Sequence, residues 1–275
     1  MEQVYELNNF PFYDEEDIRL REQFTRDMPK QISTILTQLN PAWTFERIEA
    51  PSLIPRDMLS AEYSDDDIWA QPVRERETPL ALKPETTPST YAWMVQKLHA
   101  RSRKLPWCVW QLSKSFRREQ DQLTRHMRLK EFYQMEFQCL YAADSKCDYM
   151  REAMAPLTEW FSHELCVPTR AVQSDRLPAY SERTWDIEAW NADKWMEVCS
   201  VSLRKDFPIQ PKVKDRAIEC RVLEIACGPD RMAYCKRRSL LAVPALLPTM
   251  LLDVPVEALS QEAPMACLPE PAVRT

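Results

Sequence analysis

The sequence predicts an α+β fold, an antiparallel sheet flanked by helices. Two observations carry this. Strand-length apolar runs come in pairs, Trp107 to Arg117 with Lys130 to Ala142, and Trp185 to Trp190 with Trp195 to Val201. Helical periodicity is confined to a few separate segments.

In chain order, Asp17 to Leu39 keeps Phe24, Met28, Ile32, Ile35, Leu36 and Leu39 at helical spacing, and Pro29 marks a kink or a fresh start within it. Asn40-Pro41 ends the helix, and Trp43 to Ile48 alternates as a strand stopped by Pro51. Arg56 to Glu77 is polar and reads as loop, and Pro88 to Ala100 as a short helix. The 12 residues from Arg118 to Leu129 are mostly polar and carry both charge signs, as the loop of a long hairpin touching a charged ligand would. Asp148 to Leu165 is helical in period, Ala217 to Ala226 is a strand, and Arg231 to Leu241 is a closing helix. These elements form one domain, residues 1–241. Residues 242–275, rich in Pro, Leu and Ala, read as a C-terminal tail too short for a second domain.

Composition narrows the function. The 275 residues contain one glycine, where roughly 19 are expected at average usage. Pro stands at 22 and Arg outnumbers Lys 24 to 12, so GC-poor coding does not explain the deficit. Gly-rich phosphate loops of the GxGxxG or Walker A kind are excluded. A net charge of −6 disfavours a protein that coats nucleic acid. Nine Cys with no CxxC pair and no secretory signal predict reduced thiols in the cytoplasm. No apolar run approaches the length of a membrane span. His99, His126 and His163 are scattered and define no metal site.

Three segments carry candidate chemistry. The first runs from Ser115 through Arg117 and Glu119 to Arg128, Phe132, Gln134 and Glu136. Strand alternation puts Arg117 with Glu119, and Phe132 with Gln134 and Glu136. An Arg fork suits phosphate oxygens, a carboxylate accepts from an exocyclic amine, and Phe offers a stacking plane. A surface hairpin laced by ion pairs has the same spacing. The second segment, Val222 to Arg231, reads as strand, turn and helix, and its turn holds the only glycine, Gly228. Glycine is hardest to replace where φ is positive or a ligand approaches closely, and Arg231 falls in a first helical turn, where anions bind. A plain strand-to-helix turn with an N-terminal Pro reads the same way. The third, Leu82 to Thr87, is a helix-capping sequence, weak evidence taken alone.

In this order the segments resemble the class II aminoacyl-tRNA synthetases, and among them dimeric glycyl-tRNA synthetase. Leu105 through Glu136 resembles motif 2 without a gap, Leu82 to Thr86 an Arg-Pro-Glu-Thr segment with Lys83 for Arg, and Gly228 to Arg231 motif 3. Tyr180-Ser181, Thr184, Asp186 to Glu188, Trp195, Glu197, Arg204 and Asp206-Phe207 resemble the amino-acid-binding strands. The helix to Asn40 and the strand to Pro51 resemble motif 1, a dimer element. The likeness covers roughly residues 20 to 240. Cys199, Leu203, Ser200 and Met196 depart from the family's pocket, which leaves serine and alanine open as substrates.

The resemblance implies activation of an amino acid, glycine first, by ATP with Mg²⁺, and transfer to tRNA. Arg117 then meets the α-phosphate and Arg231 the γ-phosphate, both as catalytic groups. Glu119 reads the adenine amine, Phe132 stacks under the base, Arg128 covers the triphosphate or the base, and Gly228 lies in the ATP turn. Glu224 ligates Mg²⁺. Glu85, Glu136 and Glu197 surround the substrate ammonium, and Cys199 lines the pocket. A homodimer follows from motif 1. Gln120, Asp121, Gln122, Arg125 and His126 would read the tRNA acceptor end, helped by Lys236-Arg237-Arg238. No anticodon-binding domain is expected. Two other readings stay open: a paralogue that loads a carrier protein or other acceptor, and a non-catalytic accessory subunit.

Overall fold

The computed structural model describes residues 13–59, 63–70, 78–100, 103–118, 128–175, 177–191, 194–213 and 216–246. The chain divides into a compact unit, Met1–Leu240, and a second, Leu241–Thr275. In the second, only the end of the last helix lies among the described residues.

Helix α1 spans Glu15–Leu39. Asp14 caps it by accepting from Asp17 N–H, and Asp17 returns the bond to the Asp14 N–H. It runs through Pro29 as a single helix, because Leu20, Phe24, Met28, Ile32, Ile35 and Leu36 bury one continuous stripe. That burial offsets the hydrogen bond proline removes. Strands β1 (Thr44–Arg47), β2 (Leu53–Pro55) and β3 (Leu80–Leu82) follow, then α2 (Thr87–Ala100). The hairpin is β4 (Trp107–Phe116) and β5 (Glu131–Ala142), then come α3 (Tyr149–Leu165) and β6 (Thr169–Gln173). The next pair is β7 (Ser181–Asn191) and β8 (Lys194–Arg204). The short β9 (Lys212–Val213) and β10 (Arg216–Ala217) precede β11 (Cys220–Cys227) and α4 (Pro229–Leu246).

Seven strands form one sheet in the order β1-β4-β5-β11-β8-β7-β6. Every pairing is antiparallel except β1 with β4. The predicted strand pairs thus form, and β11 inserts between them. Side-chain alternation divides the sheet into two faces. One face carries Cys108, Phe137, Cys139, Leu223, Ile225 and Val201 and packs on α1 and α3. The other is apolar only where α2 covers it, at Trp107, Val109, Leu140 and Val222. Beyond that cover it turns polar, and there the site lies.

Short β2, β3 and β6 were not evident from the sequence, since three to five residues are too few to show a period. The tip of the long hairpin, residues 119–127, lies outside the described residues. So do Glu119, Gln120, Asp121, Gln122, Arg125 and His126.

Candidate active site

Sheet register builds the floor of the site in two adjacent rows. One runs Gln111, Glu136, Ala226, Ser200, Asp186 across β4, β5, β11, β8 and β7. The next runs Val109, Gln138, Glu224, Ser202, Thr184. Above them opens a cavity of about 230 Å³ whose lining includes Glu85, Glu136, Glu197 and Glu224. Arg117, Arg128, Phe132, Gly228 and Arg231 share that lining. Nine of the eleven residues proposed from sequence for ATP and the amino acid therefore meet in one cavity.

The cationic end comes from chain ends of elements. Arg117 directly follows β4; its Nε donates to Pro84 O at 3.0 Å, and its guanidinium lies 5.3 Å from the Phe132 ring centroid. Arg231 sits in the first turn of α4, where free backbone N–H groups already favour anions. It donates to Glu197 O at 3.1 Å and pairs with Glu197 Oε1 at 3.6 Å.

The anionic end is buried. Glu136 accepts from Thr86 Oγ1 at 2.5 Å, from Thr87 Oγ1 at 2.9 Å and from Gln134 Nε2 at 2.5 Å. Glu224 Oε2 accepts from Arg204 Nη1 at 2.6 Å and Gln138 Nε2 at 2.7 Å, with Thr87 Oγ1 at 2.9 Å. Tyr63 OH donates to Glu85 Oε2 at 3.0 Å. Burial and the neighbouring carboxylates push Glu136 up to about 8, and burial raises Glu85 as well. Lys83, fully buried and donating to Ala50 O, is pulled down to about 8 by desolvation. A polar recess with cations at one side and excess carboxylates at the other suits a zwitterion beside a polyphosphate.

Cys199 does not line the cavity, contrary to the sequence reading. The register of β7 on β8 shifts between Ile187 and Glu188, passing Val198 without a partner. Glu197 and Ser200 therefore reach the cavity while Cys199, 1% exposed, joins the core with Leu203. Gly228 has no positive φ, and a Cβ there would make ordinary contacts with the Arg231 stem at 3.5 Å and beyond. Positive φ is thereby removed as a reason for glycine here, and the turn itself leaves room for a side chain. The basic run on α4 is tied up internally: Arg237 pairs with Asp14 at 2.7 Å and Asp17 at 2.8 Å, Lys236 lies 2.9 Å from Cys166 Sγ, and Arg238 donates to Tyr234.

Sequence reasoning gave no individual role to the supporting shell of Thr86, Thr87, Gln138, Arg204 and Asp230. Arg204 was legible in principle, since alternation from Ser200 and Ser202 puts it on the same face. It holds Glu224 and grips Asp206 with Nε at 3.0 Å and Nη2 at 2.7 Å.

Residues 69–229 match the tRNA synthetase class II core domain (G, H, P, S and T), and the chain belongs to that family. It is similar to the glycine–tRNA ligase of Thermus thermophilus, 28% identical over 60% of this chain and 34% of that protein. It is also similar to that of Staphylococcus saprophyticus, 25% identical over 58% and 35%. The chain spans about a third of the length of these curated relatives. In fold it is similar to Giardia lamblia prolyl-tRNA synthetase in complex with prolyl-adenylate, with a TM-score of 0.69 and 16% identity over 86% of this chain and 49% of that one. Prolyl-tRNA synthetase from Cryptosporidium parvum, complexed with halofuginone and AMPPNP, gives 0.66 at 12% identity over 85% and 48%. No helix among the described residues is long and apolar enough to cross a membrane.

Proposed function

We propose that this chain activates an amino acid with ATP and transfers it to tRNA, with glycine as the substrate. The observation that supports this most is the shared cavity of Arg117, Phe132 and Arg231 with the buried carboxylates Glu85, Glu136 and Glu224. In this reading Phe132 stacks under adenine and Glu119 accepts from its amine. Arg117 and Arg128 meet the phosphates, and Arg231 holds the terminal one beside Gly228. The substrate ammonium sits against Glu85, Glu136 and Glu197. A substrate carboxylate oxygen attacks the α-phosphorus, the bond to the bridging β-oxygen breaks, and pyrophosphate leaves. A carboxylate needs no general base, so positioning and the charge on Arg117 and Arg231 carry the rate. A tRNA ribose hydroxyl then attacks the acyl carbon, loses its proton, and AMP departs.

Mg²⁺ fits this site on its donor chemistry. Among the described residues no group of three or more His, Cys, Asp or Glu side chains could hold a metal. Mg²⁺ binds instead through one or two carboxylates and substrate phosphates. Glu224 offers Oε1 for it, since its contacts to Arg204, Gln138 and Thr87 all fall on Oε2. The ion would neutralise charge on the departing pyrophosphate.

The glycine–tRNA ligase relatives and the crowding of the carboxylates Glu85, Glu136 and Glu197 support glycine. The α1–β1 segment is the proposed homodimer element, the cytoplasm the proposed compartment, and residues 1–241 the proposed catalytic domain. Pyrophosphate exchange with each of the twenty amino acids is the test. Exchange dependent on glycine is expected, followed by charging of one isoacceptor group in total tRNA. Exchange with none overturns the activity, and exchange with another amino acid overturns glycine alone.

A further inference from the structure

The Asp230 carboxylate sits between Gly228 and Arg231 in the α4 turn, 5% exposed. Its two oxygens serve different elements. Oδ2 accepts from the Tyr133 backbone N–H at 2.7 Å, and Oδ1 from Arg21 Nη1 at 3.2 Å. Tyr133 directly follows Phe132, so the first bond ties the turn to the strand position proposed to carry the base. The second ties it to α1. Arg21 is itself held between two rings, 4.2 Å from the Tyr133 centroid and 4.9 Å from that of Tyr13. Its side chain is 12% exposed, so this is a desolvated pair. A buried carboxylate whose cationic partner is removed keeps its charge uncompensated. Here that charge would lie in the lining of the cavity, where phosphates are expected.

We propose that Arg21 and Asp230 are positioning residues of the ATP site. Asp230 sets the spacing between the base-stacking strand and the phosphate turn. Arg21 cancels the Asp230 charge that would otherwise repel the triphosphate. Neither touches the reacting atoms, and α1 thereby becomes a determinant of nucleotide affinity. This rests on the reading of the cavity as an ATP site.

The test measures KM for ATP and KM for the amino acid that supports exchange. The chains compared are the wild type, Arg21→Met, Arg21→Lys, Asp230→Asn and the Arg21→Met/Asp230→Asn double variant, each with its melting temperature. Asn keeps the acceptor for Tyr133 N–H and discards the charge. Arg21→Met should raise KM for ATP at least tenfold and leave the amino-acid KM within about twofold. Arg21→Lys should recover part of the loss. The double variant should bind ATP better than Arg21→Met alone, within about threefold of wild type. An unchanged ATP KM in Arg21→Met overturns the proposal. So does an equal rise in both KM values with a fallen melting temperature, or a double variant no better than the single. If Arg21→Met fails to fold, Arg21→Gln against Arg21→Gln/Asp230→Asn decides by the same criteria. A wild-type chain that binds no ATP overturns the nucleotide reading itself, and this proposal with it.

Discussion

The two faces of the central strands are completed in opposite ways. The row Phe137, Ile225, Val201, Trp185 lies one residue along from the row Gln138, Glu224, Ser202, Thr184, on the same four strands. The first row is covered by α1 and α3, and the chain supplies everything that face needs. The second carries Glu224, which with the neighbouring Glu136 and Glu85 brings three buried carboxylates to one cavity, while Arg204 is gripped by Asp206 as well. A face that the chain completes reports on stability. A face with uncompensated charge reports on what binds there.

The largest effect that would sharpen this contrast is on the covered face. Phe137→Ala removes a fully buried ring stacked on Trp110 at 5.6 Å, and should cost about 3–5 kcal/mol in denaturant unfolding. Amino-acid preference should stay as it is; a changed preference would break the division. On the cavity face, Arg117→Ala or Arg231→Ala should slow exchange by about 10²- to 10³-fold with the unfolding midpoint held. An equal loss of stability would make these residues structural.

Next comes pH. Glu136 is raised from 4.5 to about 8, so the folded state holds a proton that the unfolded state releases. Its stabilising contribution is complete below about 4.5 and is lost as pH rises through about 8. Lys83, lowered from 10.5 to about 8, works with the opposite sign and only above that value. Stability measured from pH 5 to 8 should therefore fall, and Glu136→Gln should flatten the slope. An ammonium pairs only with ionised Glu136, so amino-acid KM should fall over the same interval in wild type and not in the variant. The smallest effect belongs to Cys199→Ala, which trims a core side chain. It should cost less than about 1.5 kcal/mol and leave substrate preference untouched, since the thiol faces the helices.

Much of this was legible in the sequence because alternation is a local property. Phe132, Gln134 and Glu136 share a face by their spacing alone, and α1 was legible from its stripe. Cys199, assigned to the pocket by resemblance, turns into the core beside a bulge, and a bulge depends on the partner strand. The placement of β11 between the two hairpins was equally hidden, since strand order is fixed by long-range pairing. Asp230 and Arg21 lie 209 residues apart, and no local period relates them.

Cys166 has consequences beyond its own turn. It closes α3 with φ 55°, the left-handed conformation in which glycine is the usual residue. A side chain there costs roughly 1–2 kcal/mol in the native state. The unfolded ensemble sets a term of the other sign. A chain with one glycine samples fewer backbone states when denatured, and each avoided glycine is worth about 0.4–1 kcal/mol where the native backbone tolerates a side chain. Cys166→Gly would relax the turn while widening the ensemble the chain escapes from, so the unfolded state takes back about half of what the turn gains. The scarcity of glycine makes this protein's stability partly a property of its disordered state.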